Sequence, residues 1–135
     1  MKVHKTKGIN HLGLSVKNLD QTVLFFVDCL GWEELGRDDS YPRSAVSDGT
    51  VRLTLWEVDH NLSINEFHFR KNVGLHHFAL EVDSEQSLNE IAESVKNYPG
   101  VNIEFMPELL GTGPRKHMIF NEPGGIRIEF IWPGA

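Results

Sequence analysis

Apolar residues along the chain fall into two recurring patterns. Residues 9–16, Ile9-Asn-His-Leu-Gly-Leu-Ser-Val16, and 75–82, Leu75-His-His-Phe-Ala-Leu-Glu-Val82, alternate or run apolar over the length of a strand. Helical spacing follows each of them. Val23, Phe26, Val27 and Leu30 form one stripe, with Asp20 as the expected N-cap and Gly31 as the stop. Leu88, Ile91, Ala92 and Val95 form the other, capped by Asp83 or Ser84 and ended by Tyr98-Pro-Gly. Three strand-like runs come next in each case: 32–37, 44–47 and 51–58, then 101–105, 115–121 and 126–132. Tight turns are expected at Ser47-Asp-Gly-Thr50 and Pro123-Gly-Gly125, before the last strand of each set. Both halves read βαβββ.

The halves also align residue by residue. His11 falls on His77, Leu12 on Phe78, Gly13 on Ala79, Leu14 on Leu80 and Val16 on Val82. Further on, Gly49-Thr-Val-Arg-Leu-Thr-Leu-Trp56 lies over Gly124-Gly-Ile-Arg-Ile-Glu-Phe-Ile131, which sets Thr54 on Glu129. The extra residues of the second copy fit in the longer loop at 107–114. Self-similarity on this scale means one module written twice. A single domain over 1–135 is expected, with module one at about 8–58, a polar connector at 59–73 and module two at about 74–133.

Composition narrows the function classes. The 135 residues carry 13 Lys plus Arg against 19 Asp plus Glu, a formal charge of -6, so no basic surplus exists for neutralising phosphates, and nucleic acid is not an expected partner. One cysteine, Cys29, excludes an internal disulfide framework and a CxxC site. It falls beside the first helix's apolar stripe and is expected to be a small core filler. No apolar run approaches a membrane span and the first residues lack a signal-peptide core, so no membrane association and a cytoplasmic location are expected.

Strand parity then selects a chemical face. Successive strand residues point to opposite sides. Leu12, Leu14 and Val16 must pack under a helix, which sends His11, Gly13 and Ser15 the other way. In the second module the same rule sends His77, Ala79 and Glu81 outward and turns His76 inward as a core or dimer-contact histidine. Glu81 is expected to be a solvated strand end. Glu129 lies between Ile128 and Phe130, where a lone carboxylate is costly unless paired, protonated or bound to a metal. Two histidines and one carboxylate from three strands match the facial arrangement that holds a divalent ion with open positions, so His11, His77 and Glu129 are the candidate ligands. Arg115 and His117 share a strand face and are the candidate catalytic groups, to meet a substrate carboxylate or to act as acid and base.

The duplicated module, the two His-bearing strands and the ending Asn121-Glu-Pro-Gly-Gly-Ile-Arg-Ile-Glu-Phe130 together resemble the vicinal oxygen chelate superfamily. That superfamily includes glyoxalase I, bleomycin and fosfomycin resistance proteins, and extradiol dioxygenases. The ending is similar to the family's DPxGxxIEL pattern, with Glu122 in place of Asp. This resemblance implies an α+β fold whose two modules pair into an eight-stranded mixed sheet around a small-molecule cavity. It also implies a small-molecule substrate and metal ligation at His11, His77 and Glu129, by one divalent ion of Fe, Mn, Zn, Ni or Co. One chain already holds the two modules a closed cavity needs, so a monomer would suffice, but relatives often exchange modules between chains and the resemblance implies a homodimer. Glyoxalase I adds a fourth ligand where this chain has Thr54, so the resemblance leans towards extradiol dioxygenase-like chemistry. Against that lean, Ile119 stands where those enzymes carry a tyrosine. A glyoxalase I-like lyase or isomerase, and a drug- or metabolite-binding protein without catalysis, are the alternatives.

Overall fold

A computed structural model describes residues 3–135. Module one consists of β1 (Leu12–Val16), α1 (Leu19–Leu24), β2 (Glu33–Asp38), β3 (Arg43–Ser47) and β4 (Arg52–Glu57). Module two repeats the order with β5 (Phe78–Glu81), α2 (Glu85–Lys96), β6 (Asn102–Leu109), β7 (Lys116–Asn121) and β8 (Arg127–Trp132). The first helix continues as a π-helical turn over Phe25–Cys29, and Gly31 at φ +73° carries the chain out of it.

Both helices begin where a side chain can satisfy a free amide. Ser84 caps α2 by accepting from the Ser87 amide. In α1 the cap is Asn18, which accepts from Gln21, so Asp20 instead lies in the first turn. Acid suits that position because the free amides give a helix N-terminus partial positive charge. Glu57 adds a further acceptor, its Oε1 lying 2.8 Å from the Leu19 amide.

The expected single eight-stranded sheet is not formed. The strands make two separate four-stranded mixed sheets, ordered β1-β4-β3-β2 and β5-β8-β7-β6. Within each, the first and last strands of the module pair in parallel and the others are antiparallel. Among the described residues no strand of one module pairs with a strand of the other, so they close no common sheet around a cavity. The modules meet instead through side chains. Phe25 packs on Phe120 and edge-on against Tyr98, with ring centroids 5.7 and 5.5 Å apart. The helices and the apolar faces of both sheets share one core, which takes in Leu14, Leu53 and Leu55 from the first sheet and Leu80, Ile128 and Phe130 from the second. Fully burying side chains such as Phe25, Phe26 and Phe120 contributes about 1.5–3 kcal/mol each.

A polar tie also joins the modules. Glu122 is 1% exposed and accepts from the Gly124 and Ile126 amides and from the Thr22 hydroxyl of α1, at 2.8, 3.1 and 3.1 Å. A Cβ on Gly124 would come within 2.7 Å of Glu122 Oε1, so only glycine lets the turn wrap the carboxylate this closely. Burial pushes the Glu122 carboxyl above its ordinary value of 4.5, against the opposing pull of its donors. The folded state therefore holds this proton more tightly than the unfolded chain. Its contribution to stability falls as pH rises from 4.5 through the raised value. Glu122→Ala strands two buried amides and a hydroxyl. The expected loss is about 2–4 kcal/mol, measured by urea unfolding near neutral pH.

Candidate functional site

The helix-packed faces of both sheets are sealed in the core, and the opposite faces are open. On the first sheet this face carries Gly13 and Ser15, exposed, with Thr54 and Trp56 half-buried. On the second sheet Ile128 and Phe130 take the core, which leaves Arg127 and Glu129 outward on β8. Pairing places Glu129 between Ala79 of β5 and Ile119 of β7. The small Ala79 leaves room above it for a side chain from the segment leading into β5.

That side chain is His77. Its Nε2 is 3.3 Å from Glu129 Oε1, while His117 Nδ1 on β7 is 2.5 Å from Glu129 Oε2. Glu129 is 8% exposed, and each carboxylate oxygen faces an imidazole. A half-buried Phe105 backs the His117 ring, centroids 4.9 Å apart. The His117 contact gives the buried carboxylate a hydrogen-bond partner, and His77 Nε2 faces its other oxygen.

A second chain of contacts surrounds the first. Arg127, also 8% exposed, donates through Nε and Nη2 to both oxygens of Glu104, at 2.8 and 3.2 Å. Its Nη1 is 3.2 Å from His76 Nδ1, and His76 Nδ1 is 2.7 Å from His77 Nδ1. The guanidinium stacks over Phe69 at 4.2 Å, a cation–π contact supplied by the connector. His76 is thus exposed and polar in its contacts, not turned into the core, because β5 begins only at Phe78 and parity does not reach back to it. Arg127 was legible as a second charged residue alternating with Glu129 on an apolar strand. Glu104 and Phe69 carried no signal: the first lies at a register shift in β6, the second in the irregular connector.

The other candidates are placed elsewhere. His11 precedes β1, is exposed, and contacts the neighbouring Asn10 at 2.8 Å, on a different sheet from His77 and Glu129. Arg115 is exposed just before β7, its carbonyl accepting from Leu110. Glu81 is an exposed strand end. Cys29 packs against the core, and burial pushes its thiol up to about 11, which keeps it unreactive at neutral pH. Clefts of about 620 and 500 Å³ lie on the α2 surface and beside Tyr41 and His60, away from these groups.

Among the described residues no three His, Cys, Asp or Glu side chains form a metal-holding group. The pair that does converge is nonetheless suited to share a cation. Two donors each about 2.0–2.2 Å from one ion, at tetrahedral or octahedral angles, lie about 2.8–3.6 Å apart. His77 Nε2 and Glu129 Oε1 are separated by 3.3 Å. In module one the residue equivalent to Glu129 is Thr54, opposite Gly13, and its hydroxyl accepts from the Trp56 indole at 3.0 Å. No carboxylate stands there.

Comparison with known proteins supports this architecture. A glyoxylase/bleomycin resistance protein/dioxygenase domain from Frankia sp. EAN1pec superposes with a TM-score of 0.80 at 23% identity, covering 96% of this chain and 99% of that one. The fosfomycin resistance protein from Listeria monocytogenes gives 0.70 at 19% identity, over 94% and 93% of the two chains. A lactoylglutathione lyase from Agrobacterium tumefaciens gives 0.71 at 18%, over 96% of each. Among curated proteins none matches the sequence. Also among the described residues, no helix is long and apolar enough to cross a membrane. The family model for these folds matches residues 8–130, and the chain belongs to the Glyoxalase/Bleomycin resistance protein/Dioxygenase superfamily.

Proposed function

We propose that the protein is a divalent-metal-dependent enzyme acting on a small molecule with two neighbouring oxygens, with the 2-His-1-carboxylate arrangement of extradiol dioxygenase-like chemistry. The observation that carries this reading is the buried Glu129 carboxylate 3.3 Å from the Nε2 of a half-buried His77. His77 and Glu129 are two of the proposed ligands. His11 is the third, supplied by the first module of a second copy in a homodimer. The ion, when bound, supplies Lewis acidity towards the two substrate oxygens and, as Fe or Mn, a route for dioxygen.

The remaining roles belong to side chains of this chain. Glu129 is acceptor-only when ionised, so His117 donates its Nδ1 proton to Oε2 and fixes the carboxylate's orientation. Neutral His117 then holds a bare Nε2, which suits it to take or return a substrate proton. Arg115, at the mouth of the long loop before β7, is the proposed partner for an anionic substrate group. Thr54 favours three protein ligands over the four of glyoxalase I, because a neutral hydroxyl that accepts from Trp56 stands in place of a carboxylate.

Protein purified without added ions should carry stoichiometric metal by elemental analysis, and His77→Ala should lose it. Oxygen uptake with catechols is the expected activity. Turnover of thiohemiacetals without oxygen uptake would move the reading to a lyase or isomerase. Ligand binding that survives chelator treatment, with no metal in the purified protein, would leave only a binding protein.

A further inference from the structure

Resting on that metal site, we infer that His76 is a positioning residue: held by Arg127, it fixes the proton of His77 on Nδ1 and turns the His77 Nε2 lone pair towards Glu129. The argument is one of donors and acceptors. A guanidinium has five N–H donors and no acceptor. Arg127 Nη1 lies 3.2 Å from His76 Nδ1, so that nitrogen accepts and bears no proton. His77 Nδ1 lies 2.7 Å from the same atom, whose one lone pair is then shared between the two donors in a three-centre bond, so the proton between the two rings belongs to His77. His76 accordingly carries its own proton on Nε2. Neutral His77 then has one nitrogen left, Nε2, as a bare lone pair 3.3 Å from a carboxylate oxygen.

Two acceptors facing each other in this way repel unless a cation or a proton lies between them. The network therefore prepares an imidazole in the form that ligates metals, with its other nitrogen already committed to a partner. The chain behind His76 is itself held. Glu104 takes two of the Arg127 donors, and Phe69 lies under the guanidinium and edge-on to His76, with ring centroids 5.1 Å apart. A connector residue thereby reaches a ligand two side chains away. Among the described residues no hydrogen bond or ion pair joins Arg127, Glu104 or His76 to Glu129, so they act on the site through His77 alone.

Ring-nitrogen NMR of ¹⁵N-histidine-labelled, metal-free protein tests the assignment directly. The spectra are recorded about two pH units above the ordinary imidazole value. The expected result is a protonated Nδ1 on His77 and a bare Nδ1 on His76. A bare Nδ1 on His77, or a protonated one on His76, would overturn the inference. Zn(II) titration against a competing chelator gives the second readout. His76→Ala should weaken binding about 10–100-fold, the usual effect of losing an outer partner of a ligating histidine. His76→Asn, whose side-chain oxygen can accept where Nδ1 did, should restore most of it. Equal affinity in wild type and His76→Ala would also overturn it. Should wild type bind no Zn(II) at all, the proposed metal site fails, while the NMR result still decides the tautomers.

Discussion

Glu129→Met is expected to abolish stoichiometric metal binding while leaving the protein as stable as wild type, or more stable. The two halves of this result have different causes. A direct ligand should matter more than the outer partners whose loss costs about 10–100-fold in affinity. Stability is expected to move the other way, because a carboxylate at 8% exposure has given up most of its hydration. Its hydrogen bond to His117 offsets that cost only in part, and an unbranched side chain of similar length fills the same space between Ala79 and Ile119. His117, itself able to be neutral, is not left as a stranded charge. Thermal melting and elemental analysis on the same preparations separate the possibilities. A large fall in melting temperature would mean that the His77–Glu129–His117 cluster is there to hold β5, β7 and β8 together, and the metal reading would lose its main support. Glu129→Gln is the companion variant: it keeps the shape, removes the negative charge, and should also lose the metal.

Much of this cluster could be read from the sequence because the duplication is written into strand register. Laying Thr54 on Glu129 and Gly13 on Ala79 anticipates the two parallel pairings in which Gly13 faces Thr54 and Ala79 faces Glu129. Alternation on β8 likewise put Glu129 on the open face between two core residues. What failed was the step from module to whole. Nothing in the pattern of a βαβββ unit says whether its neighbour joins by extending the sheet or by packing against it. Here the deciding contacts are Phe25 on Phe120 and Thr22 on Glu122, and they involve residues that any amphipathic helix and turn would carry. His76 was misplaced for a local reason: the strands start at Leu12 and Phe78, later than the apolar runs, so the histidines sit in the lead-in segments where parity is not enforced. The connector offered no periodicity at all. Its chemistry is turn-making, as with His68 Nδ1 accepting from the Arg70 and Lys71 amides, plus the contacts of Phe69 with Arg127 and His76.

Separation of the sheets leads to the second large effect, a recovery of function on mixing two inactive variants. Within one chain the apolar faces of both sheets turn towards the common core, the face bearing Glu129 turns away from it, and His11 lies exposed in the lead-in to β1 of the other sheet. A third ligand from module one must therefore come from another copy if it comes at all. His11→Ala and Glu129→Gln should each bind no stoichiometric metal alone. Refolded together in equal amounts, half of the dimers are mixed. Each mixed dimer has one site with both defects and one with none, so about one quarter of all sites should regain metal and activity in a two-fold assembly. If ligands were drawn from a single chain, every site in the mixture would keep one defect and nothing would return. A recovery near one quarter thus identifies His11 as a ligand given across the interface; no recovery, with the dimer present by sedimentation, removes His11 from the site and leaves His77, His117 and Glu129 to account for any metal found.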